Sequence, residues 1–339
     1  MIAHAILAAT GQAWPPFVLV TGLLLVGAVA AEDELFEAAG AHLARLPLRP
    51  RALLIVLLGL VAAVTAVLNL DTAAVFLTPV LVHAARRRGV DERPFLYGSV
   101  FMANAASVLL PGSNLTNMLV LTRDPLAGTG FGAQMLPAWL AACALTAAFM
   151  AFTFRLQAGE PADGEAPALR FGLGAAGTAA AGILVLLLRN PALPVLALGV
   201  TASLLRRRLP HLETRMLAIL FPLTIGLGTL ARVWNGPSHL LGSSGSWTAA
   251  GIGAAASVLV NNLPAAVLLS ASPPAHPGAL LLGLDLGPNL AVTGSLSAFL
   301  WLQAARTVGA EASIAVYSRL GVLLVPLTLA AALTALRVC

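Results

Sequence analysis

Asp71 and Asp285 are the residues of this chain whose placement most demands a chemical explanation. Fourteen Asp and Glu occur among 339 residues. Twelve lie in polar segments or at the ends of apolar ones, and these two sit inside apolar runs. Asp71 stands with Asn69 and Thr72 in the middle of TAVLNLDTAAVFLTPVL (65–81). Asp285 stands in GLDLGPNLAVTGSLSAFLWL (283–302), followed by Asn289, Thr293 and Ser295. An ionised Asp at the centre of a bilayer costs about 2.5 to 3.5 kcal/mol even on a lenient insertion scale. A carboxyl held there is suited to loading and releasing a proton near neutral pH, which makes both residues candidates for proton or cation coupling. A second role stays open for each: a helix cap tying hairpin amides together at Asp71, and a packing anchor near a helix start at Asp285.

Uncharged polar groups gather in the same places. PGSNLTN (111–117) supplies Ser113, Asn114, Thr116 and Asn117, and NNLP (261–264) supplies Asn261 and Asn262. With Asn69, Thr72, Asn289, Thr293 and Ser295 these are the candidate substrate-binding residues. Their amides and hydroxyls suit a polar solute, or else they satisfy one another and the broken backbone. Other chemistry finds no support. The six histidines (4, 42, 83, 211, 239, 276) are scattered, and Cys143 and Cys339 are too few for a disulfide framework or a thiolate metal site. No phosphate-cradling glycine loop, nucleophile elbow or zinc spacing occurs. The expectation is therefore no cofactor, no metal and no enzyme.

The elements that must position these groups are membrane helices. The chain is 59% apolar and 10% charged, against about 25% charged in an average soluble domain. Repeated apolar runs of roughly 17 to 25 residues predict an all-α polytopic membrane protein. MIAHAILAATGQ has no basic n-region, so no cleaved signal is expected. Spans are predicted over 14–31, 133–154, 171–189, 191–206, 216–234 and 314–336, and broken helices over 95–122 and 279–306. EDELFEAAGAHLARL, within 32–46, has the pattern of an amphipathic helix lying in the interface.

Two stretches read as re-entrant hairpins. In 51–85, Arg51 to Leu68 is about 27 Å of helix and Ala73 to Ala85 only about 20 Å, with Asn69–Thr72 between them. In 246–272, Trp247 to Val260 is about 21 Å and Ala265 to Ser272 about 12 Å, with Asn261–Pro264 between. Each is followed by an apolar segment interrupted by Pro and Gly. Freed backbone groups at that depth persist only against protein or a polar cavity. Paired tips of opposite orientation and paired discontinuous helices indicate an inverted-repeat transporter with a midplane site. The domains expected are a first membrane repeat (1–155), a cytoplasmic linker (156–170) and a second membrane repeat (171–339).

All nineteen basic residues are arginine. Fifteen of them (45, 49, 51, 86–88, 93, 155, 170, 206–208, 215, 306, 319) fall on one side of this map, leaving Arg123, Arg189, Arg232 and Arg337 on the other. The positive-inside rule then puts both termini outside the cytoplasm, in a multi-pass inner-membrane protein. Trp14, Trp139, Trp234 and Trp247 fall near the outer interface as an aromatic belt would. The net charge of +5 thus reports orientation rather than nucleic-acid binding.

The residues singled out resemble the arsenite efflux permease family (arsenical pump membrane protein), within the ion transporter superfamily that also holds dicarboxylate and sodium/proton carriers. LGLDLGPNLAVTGSLSAFLWL (282–302) is similar to the family's D-L-G-P-(K)-x-x-x-x-G-S-L-x-x-x-L-W stretch. NNLPAAVLLSA (261–271), NLDTAAVFLTPVL (69–81), SNLTNMLV (113–120) and ELFEAAGAHLARL (34–46) resemble its second hairpin, first hairpin, first break and preceding helix. The likeness runs over most of the chain. It departs from the family at three points: two opening spans of the first repeat have no counterpart, the first tip reads Asn69-Leu70-Asp71 rather than Asn-Asp, and Asn289 stands where the family has lysine. The resemblance implies export of arsenite or antimonite with proton antiport, and it allows a soluble ATPase partner; the protons would be those that the buried placement of Asp71 and Asp285 already assigns to them, and a homodimer is a further expectation. Alternatives are a related carrier of sodium ion, silicate or an organic anion, or a non-transporting membrane scaffold.

Overall fold

The computed structural model describes residues 2–121, 128–156, 172–188, 190–207, 214–234 and 236–338. Among them the regular structure is entirely helical, without a strand. The elements are α1 (Ile2–Glu32), α2 (Leu35–Arg45), α3 (Pro50–Val67), α4 (Leu70–Arg87), α5 (Arg93–Ala106), α6 (Leu115–Leu121), α7 (Gly128–Thr153) and α8 (Leu173–Leu187). They continue as α9 (Ala192–Leu205), α10 (Thr214–Val233), α11 (Gly236–Gly242), α12 (Ser246–Val260), α13 (Asn262–Leu269), α14 (Pro277–Leu286), α15 (Leu296–Thr307) and α16 (Ile314–Val338). By length and composition α1, α3, α16 and Thr129–Thr153 of α7 suffice to cross a membrane. Apart from residue 156, the expected linker lies outside the described residues, as do Arg123, Arg170, Arg189 and Arg208.

The helices interrupt where the sequence carries turn formers. Asn69 separates α3 from α4, and Asn261 separates α12 from α13. Short 3₁₀ turns over Pro111–Ser113, Gly287–Leu290 and Val292–Gly294 break the two later segments. The order helix–tip–helix followed by helix–break–helix therefore occurs twice. One boundary differs from the expectation: α1 begins at Ile2 rather than near residue 14, the Ala-rich start being helical and continuing through Pro15 and Pro16 into the apolar run. Another is at α2, which starts only at Leu35, after Glu34 takes a left-handed conformation (φ 55°) that turns the chain out of α1.

Packing is set by small residues and rings. Gly283 of α14 and Gly287, the residue that ends it, stand one turn apart on the face that meets Ala250 and Ala254 of α12, and a Cβ at Gly283 would lie 2.0 Å from the Ala250 carbonyl. This is the small-residue seam by which membrane helices approach backbone to backbone. Phe36 of α2 stacks on Phe76 of α4 at 5.7 Å. Tyr97 of α5, Trp301 of α15 and Tyr317 of α16 form a buried cluster with centroids 5.4 to 5.6 Å apart. Two of these rings also hold the polar region in place. Trp301 Nε1 donates to the Leu96 carbonyl at 2.8 Å, and the Tyr317 hydroxyl donates to the Pro288 carbonyl, inside the break, at 3.0 Å.

Candidate functional site

Four helices begin at one point. A polar residue stands just before each start, because the first amides of a helix have no partner within it. Asn69 Oδ1 accepts from the Thr72 amide at 2.6 Å at the start of α4. Asn114 Oδ1 accepts from the Thr116 amide at 3.1 Å at the start of α6. Asn261 Oδ1 accepts from the Leu263 amide at 3.3 Å at the start of α13, and Ser295 Oγ accepts from the Ala298 amide at 3.2 Å at the start of α15. Asn261 does this at φ 73° and ψ 148°, a conformation unfavourable to any side chain, and its Nδ2 donates to the Thr293 carbonyl at 3.2 Å. Such strain, about 1 to 3 kcal/mol, persists only where the surroundings enforce it.

The first turns of all four helices enclose a cavity of about 10 Å³, lined by Leu70 and Asp71, Asn114 and Leu115, Asn262 and Leu263, and Ser295, Leu296 and Ser297. That is about the least volume that holds one water molecule. Two tips and two breaks, from positions as distant as 70 and 297, thus share one interior point. Each helix start carries roughly half a positive charge, so the point is electropositive by its backbone alone. The lining holds no arginine. Its ionisable side chain is Asp71, 3% exposed.

Asp285 is fully buried, and its Oδ1 accepts from Asn114 Nδ2 at 2.8 Å. Asn114 therefore belongs both to the cavity wall and to the second carboxyl. Behind them runs an amide and hydroxyl chain: Asn104 Nδ2 donates to Asn289 Oδ1 at 2.7 Å, Ser297 Oγ donates to Asn104 Oδ1 at 3.3 Å, and the Ser295 and Ser297 hydroxyls are 2.8 Å apart. Asn104 and Ser297 are absent from the sequence-based candidates. An isolated amide in the apolar run SVFMANAAS was the available signal for Asn104.

Of the sequence candidates, Asp71, Asn114, Asn262 and Ser295 line the cavity, and Asp285 is one hydrogen bond away. Others hold backbone. Asn117 Nδ2 donates to the Ser107 and Leu110 carbonyls at 2.8 and 3.0 Å, groups that the break releases. Ser113 Oγ donates to the Ala66 carbonyl at 3.2 Å. Asn289 pairs with Asn104, and Asn69 and Asn261 serve as caps. Thr293 is exposed and takes part through its carbonyl. Asn69 Nδ2, Thr72 Oγ1, Thr116 Oγ1, Asn117 Oδ1, Asn262 Oδ1 and Asp285 Oδ2 are buried without a hydrogen-bond partner among the described residues. Buried polar atoms normally find a partner in protein or ordered water, and these six belong to the two tips, the two breaks or the helix turns beside them.

Comparison with known proteins agrees with this architecture. The citrate transporter family (CitMHS) matches residues 1–287. An arsenical pump membrane protein of Yersinia enterocolitica is 32% identical over 148 residues, which are 42% of this chain and 34% of that protein. The match thus spans about a third of the length of that curated relative. The crystal structure of the YdaH transporter of Alcanivorax borkumensis has the same fold, with a TM-score of 0.61 at 15% identity, covering 98% of this chain and 86% of that one.

Proposed function

The chain belongs to the citrate transporter (CitMHS) family and is a membrane transporter rather than an enzyme, and from that premise we propose that it exports arsenite or antimonite in exchange for protons. The observation that carries this reading is the set of polar groups that line the site among its leucines: the amides of Asn114 and Asn262, the hydroxyls of Ser295 and Ser297 and the Asp71 carboxyl, with Asp285 one bond behind and no cationic side chain. Arsenite near pH 7 is mostly the neutral trihydroxide. Its hydroxyls can both donate and accept, which suits Asn114, Asn262 and Ser295, whereas a polyanion would meet two carboxyls without an arginine to offset them. Asp71, at the first turn of α4, carries the exchanged proton, and Asp285 answers to it through Asn114. The two tips enter the inner membrane from opposite faces as re-entrant hairpins, and both termini lie outside the cytoplasm.

A second reading has an observation of its own. Four helix starts aim partial positive charge at one point, the arrangement transporters use for substrate carboxylates, and the family description names citrate. A small organic anion is therefore the competing cargo. Everted vesicles separate the two. Accumulation of arsenite and antimonite that a protonophore abolishes, with no accumulation of citrate, supports the first reading. Citrate accumulation without arsenite accumulation supports the second. Proton-driven arsenite uptake that persists unchanged in Asp71→Asn sinks the coupling role of that residue.

A further inference from the structure

The helices that start at the site leave it in two pairs. α6 and α13 pack together, and Gln12 of α1, itself buried, ties their far portions: its Nε2 donates to the Leu119 carbonyl at 2.7 Å and to Ser270 Oγ at 3.0 Å. α4 and α15 also pack together and run in the same sense. Arg86 at the end of α4 donates to the Val308 carbonyl, just past the end of α15, at 2.7 Å. Beside the α4–α15 contact lies a cavity of about 430 Å³, open to the surface and lined by Val75 of α4 and by Leu300, Gln303, Ala304, Arg306 and Thr307 of α15. The site cavity, at about 10 Å³, admits no solute larger than water unless its walls part.

The register of the two helices joins these spaces. Val75 is one turn beyond Asp71 on α4. On α15, positions 296, 300, 303, 304 and 307 follow the spacing of a single helix face. Leu296 lines the site, Leu300 is the next residue along that face, and Gln303, Arg306 and Thr307 are exposed at the rim. From Thr307 to Leu300 is about 10 Å along the axis, and from Leu300 to Leu296 about 6 Å more. The large cavity thus ends one helical turn short of the site. What closes it is apolar: Leu300 is 5% exposed, and half-buried Val75 packs against the core cluster that holds Leu296 and Leu300. The rim contributes an amide, a hydroxyl and a guanidinium and no carboxylate, which suits a neutral or anionic solute and not a cation.

We propose that the cavity beside the α4–α15 contact is the access path from one membrane face to the site, and that Val75 and Leu300 are its apolar gate. Hydrophobic constrictions close by excluding water, and they open when the flanking elements separate. The proposal rests on the transporter reading but not on the identity of the solute.

Thiol labelling tests it without any cargo. In a Cys143→Ala, Cys339→Ser background, single cysteines are placed by Gln303→Cys, Thr307→Cys and Leu296→Cys, and a membrane-impermeant charged thiol reagent is applied to right-side-out and everted vesicles. Gln303→Cys and Thr307→Cys are expected to react from one face, with Leu296→Cys at least ten-fold slower from that face. Adding Val75→Ala or Leu300→Ala should then speed Leu296→Cys at least ten-fold, while Val75→Phe slows it further. The proposal is overturned if the two rim cysteines are unreactive, as in a lipid-filled groove, or react equally from both faces. It is equally overturned if the rate at Leu296→Cys ignores all three gate substitutions. Absence of arsenite transport would defeat the cargo assignment and leave these rates unchanged, so the two failures are distinguishable.

Discussion

Replacement of Asn114 is the sharpest test of the site as an interlocked unit. Its side chain does two separable things: Oδ1 caps α6 through the Thr116 amide, and Nδ2 donates to Asp285 across 171 positions of sequence, with a longer 3.4 Å contact to Ser107 Oγ besides. Serine keeps a good capping oxygen but is too short to reach Asp285. Asn114→Ser therefore removes the bond to a buried carboxyl whose other oxygen already has no partner among the described residues. A hydrogen bond of that kind contributes about 1.5 to 3 kcal/mol. Asn114→Ala removes the cap as well, for about 1 kcal/mol more. With an unfolding entropy of about 2.1 cal/mol/K per residue, losses of this size lower Tm by on the order of 2–4 °C for Asn114→Ser and 1–2 °C further for Asn114→Ala. The assay is thermal unfolding of the detergent-purified protein, repeated in an Asp285→Ala background. There the Asn114→Ser loss should shrink below about 0.5 kcal/mol, the level at which independent sites add. An undiminished loss in that background refutes the coupling of Asn114 to Asp285, and with it the joining of the first break to the second carboxyl.

Other expectations follow from the same structure. A Cβ at Gly321 of α16 would lie 1.8 Å from the Asn289 carbonyl, so Gly321→Ala should destabilise by about 1–3 kcal/mol or displace the break, checked by thermal unfolding together with transport. Trp301→Phe keeps the ring cluster but removes the indole donor to the Leu96 carbonyl, which retains the Ser99 hydroxyl, a loss of at most about 1 kcal/mol in the same melt. At Asp91, in the loop before α5, burial opposes ionisation, but the hydrogen bonds and charge of Arg93 outweigh it and hold the carboxyl below its ordinary value. A carboxyl lowered in the folded state adds stability above its unfolded pKa, and that contribution fades as pH falls through the folded value. The Tm difference between the wild type and Asp91→Asn should therefore be present at pH 7 and vanish in strong acid. A difference that stays constant with pH contradicts the pairing.

What could be read from the sequence alone was local. Apolar runs of bilayer length announced membrane helices, and Pro, Gly and Asn inside those runs announced where the helices stop. Asn69, Asn114, Asn261 and Ser295 stood out there only as polar groups suited to a solute; that each caps a helix start, satisfying the orphaned amides of a first turn, came from the structure. Which of these starts meet, and around which side chains, was decided by the tertiary structure. The glycine seam between α12 and α14 and the packing of α4 on α15 bring residues 71, 114, 262 and 295 to one point, a matter of long-range packing that no periodicity encodes. The same packing turned Asn117 toward the Ser107 and Leu110 carbonyls, left Thr293 exposed, and drew Asn104 and Ser297 into the network unannounced. Residue type told which groups need partners. Only the fold determined which partners they found, because an amide in an apolar helix looks the same in sequence whether it faces a carbonyl, a carboxyl or a cavity.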